Sequence, residues 1–475
     1  MAAGGVDLTS GLDDDVLLRI LALVPDARDA GARTATLSRR WLRLWTRVPE
    51  LRFASRPVPR SASAAERCAA LERHVSLVDG VLARRARSGS AAVETLSISR
   101  KRLMQQVRLD DLPSPAGLET MRLALGGARL ELSTAVKFAS LKELSLESIE
   151  IADGGGARLL ARLVSSPNCP HLQKLRMSRL RFPASSSEEM RIEADMLSEL
   201  CIEGINIMSM ELRTPSLRVL HVDRCHNEVL SLLAAPRLEQ VAVFSRPEPR
   251  RPLGLLRIDG DLPRVHSLKL CMWSHRHHRF HGGEQNDSCV LLMKRCSLLK
   301  CLEVTLGGPK SKLKYVEHVD LIKDKVPHLP HITSLTVNVS EAFERHNFGA
   351  GVANLLTRFT NLTHLNLHLP FFYGLFCDLK HGLDLDCDHS NHWTSHEISM
   401  VHLQDVELTG LTGVDCELWF TEAVLASAKI LGKVTISFHK ECCQHQDNMD
   451  AFQRLLIDEG MWTSRREEHM IICLK

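Results

Sequence analysis

Histidine and cysteine side chains are concentrated in two polar stretches, Trp273 to Asn286 and Asp384 to His396. Together the stretches hold these candidate metal ligands: His275, His277, His278, His281, Cys387, His389 and His392. Imidazole and thiolate groups of this kind bind zinc. Zinc sites, however, usually show paired elements that include cysteine at short fixed spacings, and neither stretch has that pairing. We therefore predict two surface loops and no metal site.

A glycine run also has the composition of a ligand-binding turn. Asp153 and the three glycines after it follow a strand-like segment and precede the helix-like ARLLARLV. The sequence lacks the G-x-G-x-x-G and G-x(4)-G-K-[ST] patterns that bind nucleotide phosphates. It also lacks the G-x-S-x-G and H-E-x-x-H patterns of hydrolases. We expect a strand-to-helix turn here, no cofactor, and a protein that is not an enzyme.

Composition and charge restrict the class of protein further. The 475 residues carry a net charge of +3, with +7 in residues 1–110 (19 basic against 12 acidic) and −4 in the remainder (41 against 45). The arginines are dispersed along helix faces without interleaved aromatics, so nucleic-acid binding is not expected. No apolar run approaches the roughly 18 residues of a membrane span. No secretory signal precedes Gly11, so we expect a soluble protein of the cytoplasm and/or nucleus whose 14 cysteines are thiols.

Two amphipathic helices organise residues 10–53. Apolar residues recur at helical spacing in the first helix, at Leu12, Val16, Ile20 and Leu23. In the second helix, one side carries Leu37, Trp41, Leu44, Trp45 and Val48, and the other carries Arg39, Arg40, Arg43 and Arg47. About 40 residues are too few for a self-sufficient core. The apolar faces must therefore pack on the rest of the chain or on a partner.

This helical segment resembles the F-box, the module of plant F-box proteins that docks on the Skp-type adaptor of a cullin–RING ubiquitin ligase. The resemblance rests on Leu12, Asp14, Asp15, Val16 and Leu17, on Pro25, and on A-R-T-x-x-L-S-R-R-W-x-x-L-W from Ala32 to Trp45. Asp13 stands where the family usually has proline, and Gly31 and Thr36 are smaller or more polar than its usual aliphatics. The resemblance implies an adaptor contact through Leu12, Val16, Leu17, Ile20, Leu21, Pro25, Leu37, Trp41, Leu44 and Trp45.

A second pattern, L-x-x-L-x-L, begins near residue 93 and recurs thirteen times. Its middle residues are Leu96, Met121, Leu144, Leu175, Leu200, Leu220, Val241, Leu268, Leu302, Leu335, Leu365, Val406 and Val434. Alternate residues of a strand face opposite sides, so the last two apolar residues of each phrase point inward together. Stacking one parallel strand per repeat buries them in a continuous core. We predict an α/β fold, in which a short all-α F-box-like module precedes a leucine-rich-repeat solenoid.

The residue between the two inward residues of each phrase faces outward on the concave side. These outward residues are Ser145, Arg176, Cys201, His221, Ala242, Lys269, Glu303, Thr336, Asn366 and Glu407. They form a mixed surface without one charge sign, which suits a protein partner. We predict that Ser145, Arg176, His221, Lys269, Glu303, Thr336, Asn366 and Glu407 bind the substrate.

The C-terminal residues resemble the FBD-type region that follows the repeats in many plant F-box proteins. The matching positions are Leu403, Val406, Leu408, Gly410, Gly413, Glu417, Phe420, Leu425, Ala428, Leu431, Val434 and Ile436. We therefore divide the chain into a disordered N-terminus (1–9), the helical module (10–53), a linker and connecting helix (54–92), the repeats (93–402) and the FBD-like region that continues them (403–475).

The resemblance implies a substrate-recognition subunit of a Skp–cullin–F-box ubiquitin ligase. The N-terminal helices would bind the adaptor, and through it a cullin, while the repeats hold a protein substrate whose identity the sequence does not reveal. The alternative is a leucine-rich-repeat scaffold or a small-molecule-sensing receptor that acts without ubiquitin transfer. The outward row shows no basic cluster that would favour a sensor.

Overall fold

The computed structural model divides the chain into two compact units. The first unit comprises Met1–His221 with Val229–Ala235, and the second comprises Val222–Glu228 with Pro236–Lys475. The structure describes residues 11–24, 26–34, 38–54, 61, 63–87, 93–99, 106–108, 117–132, 137–151, 156–182, 189–225, 229–233, 235–244, 255–273, 275–277, 282–307, 316–320, 322, 325–340, 348–369, 398–412, 415–439, 450–455, 462–467 and 470–474.

The first unit begins with three short helices and continues into parallel strands. Helices α1 (Asp14–Ala22), α2 (Ala27–Thr34) and α3 (Arg39–Leu44) lead into a 3₁₀ turn, Trp45–Arg47. The elements that follow are β1 (Glu50–Ala54), α4 (Ala64–Arg87), β2 (Thr95–Ser99), β3 (Gln106–Arg108), β4 (Thr120–Glu131), β5 (Glu143–Ile151), α5 (Gly156–Val164), β6 (Lys174–Ser178), β7 (Glu189–Glu193), β8 (Glu199–Glu203), β9 (Ser209–Arg213), β10 (Val219–Asp223) and β11 (Val229–Leu233).

The repeat phrases set the register of the first ladder. Strands β1, β2, β4, β5, β6 and β8 pair in parallel in that order. The pairing places the middle residues of successive phrases side by side, at Leu96, Met121, Leu144, Leu175 and Leu200. All five are buried. Because β1 pairs with β2, the ladder starts within the segment that the sequence assigned to the helical module, whose predicted boundary was residue 53.

A second, smaller sheet in the first unit was not predicted. Strands β7, β9 and β11 pair in parallel, with Met190, Met210 and Leu230 in register. Each of these strands alternates buried and partly or fully exposed residues, as the repeat strands do. The first unit therefore buries apolar residues from two sets of parallel strands.

The second unit contains the rest of the repeats. Its elements are β12 (Gln240–Phe244), β13 (Leu255–Ile258), β14 (Ser267–Trp273), β15 (His275–His277), α6 (Gly282–Arg295), β16 (Cys301–Gly307), β17 (Val316–Asp320), β18 (Ser334–Val339), α7 (Phe348–Leu356), β19 (His364–His368), β20 (Asp405–Leu411), α8 (Asp415–Ala426), β21 (Lys433–Phe438), β22 (Trp462–Glu467) and β23 (Met470–Leu474). Residues 450–455 are also helical.

The ladder of the second unit is parallel until its last strands. Strands β12, β14, β16, β18, β19, β20 and β21 pair in that order, again with the phrase residues aligned from Val241 to Val434. Strand β23 then pairs with β21 in the antiparallel sense and forms a hairpin with β22. All thirteen phrases fall on strands, so the predicted α/β fold with parallel repeat strands is confirmed.

The prediction of a surface loop from Trp273 to Asn286 was wrong for the residues that the structure describes. His275–His277 forms β15, which pairs antiparallel with β17. The following residues open α6, and both Trp273 and Asn286 are buried. Polar composition alone predicts exposure, but Asn286 can be buried because its amide forms hydrogen bonds with the backbone N–H and C=O of Trp273. The stretch from Asp384 to His396 lies outside the described residues.

Candidate functional site

The N-terminal helices form a small core, and Val81 of α4 packs against it, so the apolar faces pack partly on the rest of the chain, which was one of the two expected outcomes. This core consists of Leu17, Leu21, Ala30, Trp41, Leu44, Trp45 and Val48. Leu17 and Leu21 stand four residues apart on α1 and so face the same way. They pack with the two tryptophans that follow α2 in the chain. The cavity remaining beside Leu21, Ala27 and Trp45 measures about 10 Å³, which is room for one water at most.

The predicted adaptor-contact residues therefore divide into two groups. Leu17, Leu21, Trp41, Leu44 and Trp45 are at least 95% buried within the described chain, where they hold the helices together. Direct contact through these five would require the module to open, and the adaptor contact itself stays a prediction. Leu12 is half-buried against the same core. Pro25 and Leu37 lie outside the described residues.

The other side of α1 exposes three large apolar residues, which we call the apolar stripe. Val16 is 41% exposed, Ile20 is 40% exposed and Leu23, just after the helix, is 80% exposed. Their spacing of four and three residues places them on one face. Val16 and Ile20 belong to the predicted contact set, whereas Leu23 was omitted from it although its spacing fits the same pattern.

Charged groups surround the start of α1. Arg40 donates from Nε to Asp14 Oδ1 at 2.9 Å and from Nη2 to the carbonyl of Leu12 at 2.6 Å. Arg47 reaches the other oxygen of Asp14 at 3.2 Å. The hydrogen bond from Arg40, together with the positive charge of both arginines, lowers the pKa of Asp14. These contacts tie the third helical segment to the first and hold the apolar stripe at a fixed orientation within the module.

Two further contacts join α2 to β1 and α4 to the end of the helical module. Asp26 accepts a hydrogen bond from Arg28 Nε at 2.9 Å, and Arg28 also donates to the carbonyl of Ala54 at the end of β1. Arg85 of α4 is buried and donates to the carbonyl of Val48 at 2.5 Å, and its burial lowers the pKa of the guanidinium. Within the module, the α-carbon of Gly31 faces the indole of Trp45, so that an added β-carbon would lie 3.7 Å from the ring.

In the first unit, the outward residues of the repeats lie among ion pairs. Arg176 is exposed and lies 3.9 Å from Glu203 on the neighbouring strand. Ser145, Cys201 and His221 are partly exposed. Around them, further strand-to-strand pairs join Arg122 to Glu143 at 3.4 Å and Lys174 to Glu199 at 3.0 Å. The structure brings these predicted residues to one face of the ladder, and much of the charge on that face is neutralised within the unit.

In the second unit, three of the six predicted outward residues are charged, namely Lys269, Glu303 and Glu407. Lys269 pairs with Glu303 at 2.5 Å and also lies 4.8 Å from the ring centre of Phe244. Glu303 accepts a second hydrogen bond, from Asn338 at 2.7 Å. Beyond Glu303, the ladder places Thr336, Asn366 and Glu407 in register on successive strands.

Cysteine and histidine residues were considered as reactive or metal-binding groups. Burial raises the pKa of the thiols of Cys169 and Cys296 to about 12 each, so both remain protonated at neutral pH. Across the residues that the structure describes, no three His, Cys, Asp or Glu side chains are grouped as metal ligands. His278 and His281 lie outside that part of the chain. None of the described helices is both long and apolar enough to cross a membrane.

Comparison with known proteins gives one informative similarity. No protein-family model matches the sequence. An Arabidopsis thaliana protein named "Putative FBD-associated F-box protein" is 24% identical over 258 residues, which cover 50% of this chain and 55% of the relative. The chain thus spans about half the length of that relative. An internalin from Listeria monocytogenes matches 75% of this chain and 94% of its own at a TM-score of 0.30 and 13% identity, too low to support an inference. The chain is thus distantly similar over half of its length to a protein named as an FBD-associated F-box protein, and its own repeat strands pair in parallel.

Proposed function

We propose that the chain is the substrate-recognition subunit of a Skp–cullin–F-box ubiquitin ligase. The N-terminal helices bind the Skp-type adaptor, which connects the chain to a cullin, and the outward face of the repeats binds a protein substrate. The chain itself has no catalytic role. It raises the effective concentration of substrate lysines near the ubiquitin carrier by holding both at once.

The apolar stripe is the observation that carries this proposal. Val16, Ile20 and Leu23 remain exposed although Leu17 and Leu21, on an adjoining face of the same helix, are buried in a core. Covering a large aliphatic side chain contributes about 1.5–3 kcal/mol, so three such residues supply an anchor for an apolar partner. The arginine contacts to Asp14 and the buried tryptophans hold the stripe in place before the partner arrives.

Co-expression with a Skp-type adaptor tests the adaptor contact. The double variant Val16→Asp/Ile20→Asp places two carboxylates in the contact, and we expect adaptor affinity to fall at least about 100-fold because each charge would have to be desolvated. The free energy of unfolding should change little, since both side chains are exposed. Co-purification and calorimetric titration measure the loss.

A matched control makes the same chemical change elsewhere. Leu291 and Leu298 are exposed leucines in and just after α6, and Leu291→Asp/Leu298→Asp should leave adaptor binding unchanged. Trp41→Ala is unsuitable as a contact variant, because Trp41 lies in the module core and its loss would open the module. Full adaptor binding by Val16→Asp/Ile20→Asp would refute the proposed contact.

Ubiquitin transfer separates the proposed receptor from a repeat scaffold that acts without it. Reconstitution with adaptor, cullin, RING protein and charged carrier should ubiquitinate lysines of the chain itself, and the stripe variant should prevent this. Adaptor binding without any transfer would favour the scaffold.

A further inference from the structure

Four neighbouring strands of the second unit present polar side chains that have no partner among the residues that the structure describes. Thr336 of β18, Asn366 of β19, Glu407 of β20 and Thr435 of β21 stand in register on the outward face, and we call them the polar row. Glu407 is exposed and the other three are partly exposed. Across the described part of the chain, none of the four side chains forms a hydrogen bond or ion pair.

The residues that flank the polar row are engaged with one another. At the start of the strands, His364 Nε2 lies 3.0 Å from Asp405 Oδ2. On the opposite side of the row, His368 bonds to Thr409, and Asn338 donates to Glu303 at 2.7 Å. Among the described flanking residues, these imidazole, carboxylate and amide groups have partners, whereas Lys433 at the start of β21 pairs with no carboxylate.

The spacing and chemistry of the polar row match an extended polypeptide. Neighbouring strands lie about 4.8 Å apart, so the row from β18 to β21 is about 14 Å long. That length corresponds to about four residues of extended chain. A carboxamide such as that of Asn366 offers both a donor and an acceptor, and each threonine hydroxyl can do the same, which complements the N–H and C=O groups of a peptide backbone.

Glu407 determines the charge that such a polypeptide should carry. Its carboxylate accepts hydrogen bonds only, and an arginine or lysine would supply charge-assisted donors. A phosphate or a carboxylate placed there would be repelled. Lys433 at the start of β21 pairs with no carboxylate among the described residues, but the register places it beside Asp405 and one row away from Glu407.

We propose that the polar row is the docking surface for an extended polypeptide segment that places a lysine or arginine against Glu407. The proposal deepens the proposed function by assigning the substrate surface to these strands and a basic, extended segment to the substrate. It depends on the proposed function only in calling that polypeptide a substrate, because binding to the row requires neither adaptor nor ubiquitin.

A random nonapeptide display library, selected on the full-length chain without adaptor, is the test. We expect the selected peptides to be enriched in arginine or lysine at one position. One selected peptide, labelled with fluorescein, then gives dissociation constants by fluorescence polarisation. Glu407→Gln should weaken this peptide about tenfold, and it should have no effect on the same peptide with norleucine in place of the basic residue. Asn366→Leu, which removes the donor and acceptor at similar size, should weaken both peptides about tenfold.

Glu199→Gln is the matched control, since Glu199 is a half-exposed outward carboxylate of the first unit that already pairs with Lys174. It should leave both peptides unaffected. Thermal unfolding of each variant verifies that the exposed substitutions have not altered the fold. The proposal is overturned if no peptide is enriched, if acidic peptides are enriched, or if Glu407→Gln retains the preference for a basic residue. Loss of adaptor binding would contradict the proposed function and leave this result standing.

Discussion

The outward faces of the two units are built on the same backbone but carry different chemistry. In the first unit, charged side chains pair with the neighbouring strand, as Arg122 does with Glu143 and Lys174 with Glu199. In the second unit, pairs of the same kind join Lys269 to Glu303 and His364 to Asp405. Thr336, Asn366 and Glu407, which stand at the position that Arg122 has in its strand, form no such pair among the described residues. A charge that is satisfied by a neighbouring strand has little to offer a ligand. The two faces therefore differ at this one position of the repeat, where the first unit pairs Arg122 and the second unit leaves Glu407 without a pair among the described residues.

The two units also differ in how tightly the chain packs where a long strand changes register. Strand β4 shifts between Ala124 and Ala128, and strand β20 shifts between Thr409 and Leu411. A glycine with positive φ lies at each place, Gly127 at +94° and Gly410 at +78°. Open space surrounds a β-carbon built at Gly127, whereas one at Gly410 would lie 1.9 Å from the carbonyl oxygen of Leu369.

Gly410→Ala should therefore have the largest effect of the substitutions considered for this comparison. The new methyl group cannot coexist with the carbonyl of Leu369, so β20 must move away from the segment after β19. We expect a loss of about 3 kcal/mol or more from strain and displacement together. Hydrogen exchange of the β19 and β20 amides measures it locally, which suits a repeat protein whose unfolding need not be two-state.

Gly127→Ala is the control for this first prediction. It incurs only the cost of an alanine at positive φ, about 1–2 kcal/mol. Equal losses at the two positions would show that backbone conformation alone, and not the close approach in the second unit, determines the cost.

The repeat strands could be predicted from the sequence because each phrase combines a fixed spacing with burial. Leu144 and Leu146, for example, can face one side only in an extended strand. The smaller sheet was missed because Met190 and Ile192 lack the leading apolar residue of the phrase. Ile207, Met210 and Leu212 fit the phrase, but they follow Leu200 by only about ten residues, which is too close for the next repeat. The antiparallel pairing of β23 with β21 depends on contacts between residues distant in the sequence, which no local pattern encodes.

The candidate site could be predicted less completely than the fold. Helical spacing identified Val16, Ile20 and the tryptophans, and the resemblance to the F-box added Leu17 and Leu21. An apolar residue on a short helix can serve a core or a partner equally well. Only the packing of the tryptophans against Leu17 and Leu21 distinguishes the two uses. Three residues of the polar row, Thr336, Asn366 and Glu407, were predicted as part of one outward row that runs through both units. Their distinction from the outward residues of the first unit depends on side-chain pairing between strands, which the sequence does not show.

Buried asparagines provide the second way to test the difference between the units. Asn286 accepts from the N–H of Trp273 at 2.9 Å and donates to its carbonyl at 2.8 Å. Asn286→Ala removes both partners from a buried strand end, and we expect a loss of about 2–3 kcal/mol. Urea denaturation followed by tryptophan fluorescence and by exchange at β14 measures it.

In the first unit, Asn168 donates one side-chain hydrogen bond, to the carbonyl of Arg162 at 2.8 Å near the end of α5. Asn168→Ala should cost only about 1 kcal/mol. If Asn168→Ala lowers the free energy of unfolding as much as Asn286→Ala does, the second unit does not depend more strongly on its buried asparagine than the first unit does.

Acidification should affect the joint between the helical module and β1. Burial of Asp26 opposes its ionisation, but hydrogen bonds from Arg28 and from the backbone outweigh burial and lower the pKa of the carboxyl below 3.8. A carboxyl with a lowered folded-state pKa binds fewer protons than its unfolded form. Its contribution to the free energy of unfolding is therefore complete above about pH 4, and it is lost as the pH falls through the pKa of the carboxyl in the folded state.

Asp26→Asn removes this contribution at every pH. We expect the variant to be about 1 kcal/mol less stable than the wild type at pH 7, and the difference to shrink below pH 4. Thermal unfolding of the wild type and the variant from pH 2.5 to 7, together with hydrogen exchange of the α2 and β1 amides, measures this difference in stability. A difference that stays constant down to pH 2.5 would mean that the carboxylate charge has no part in the joint.

The smallest effect expected is the coupling between Arg122 and Glu143. Both side chains are largely open to solvent and their closest atoms are 3.4 Å apart, and such exposed pairs contribute at most about 1 kcal/mol. A double-mutant cycle with Arg122→Gln and Glu143→Gln should give about 0.3 kcal/mol at low salt and no measurable coupling at high salt. A coupling above about 1 kcal/mol would show that the ion pairs of the first unit contribute substantially to its stability. If the coupling is small, the main effect of these ion pairs is to neutralise charge, because side chains that pair with each other offer few free charges to a partner.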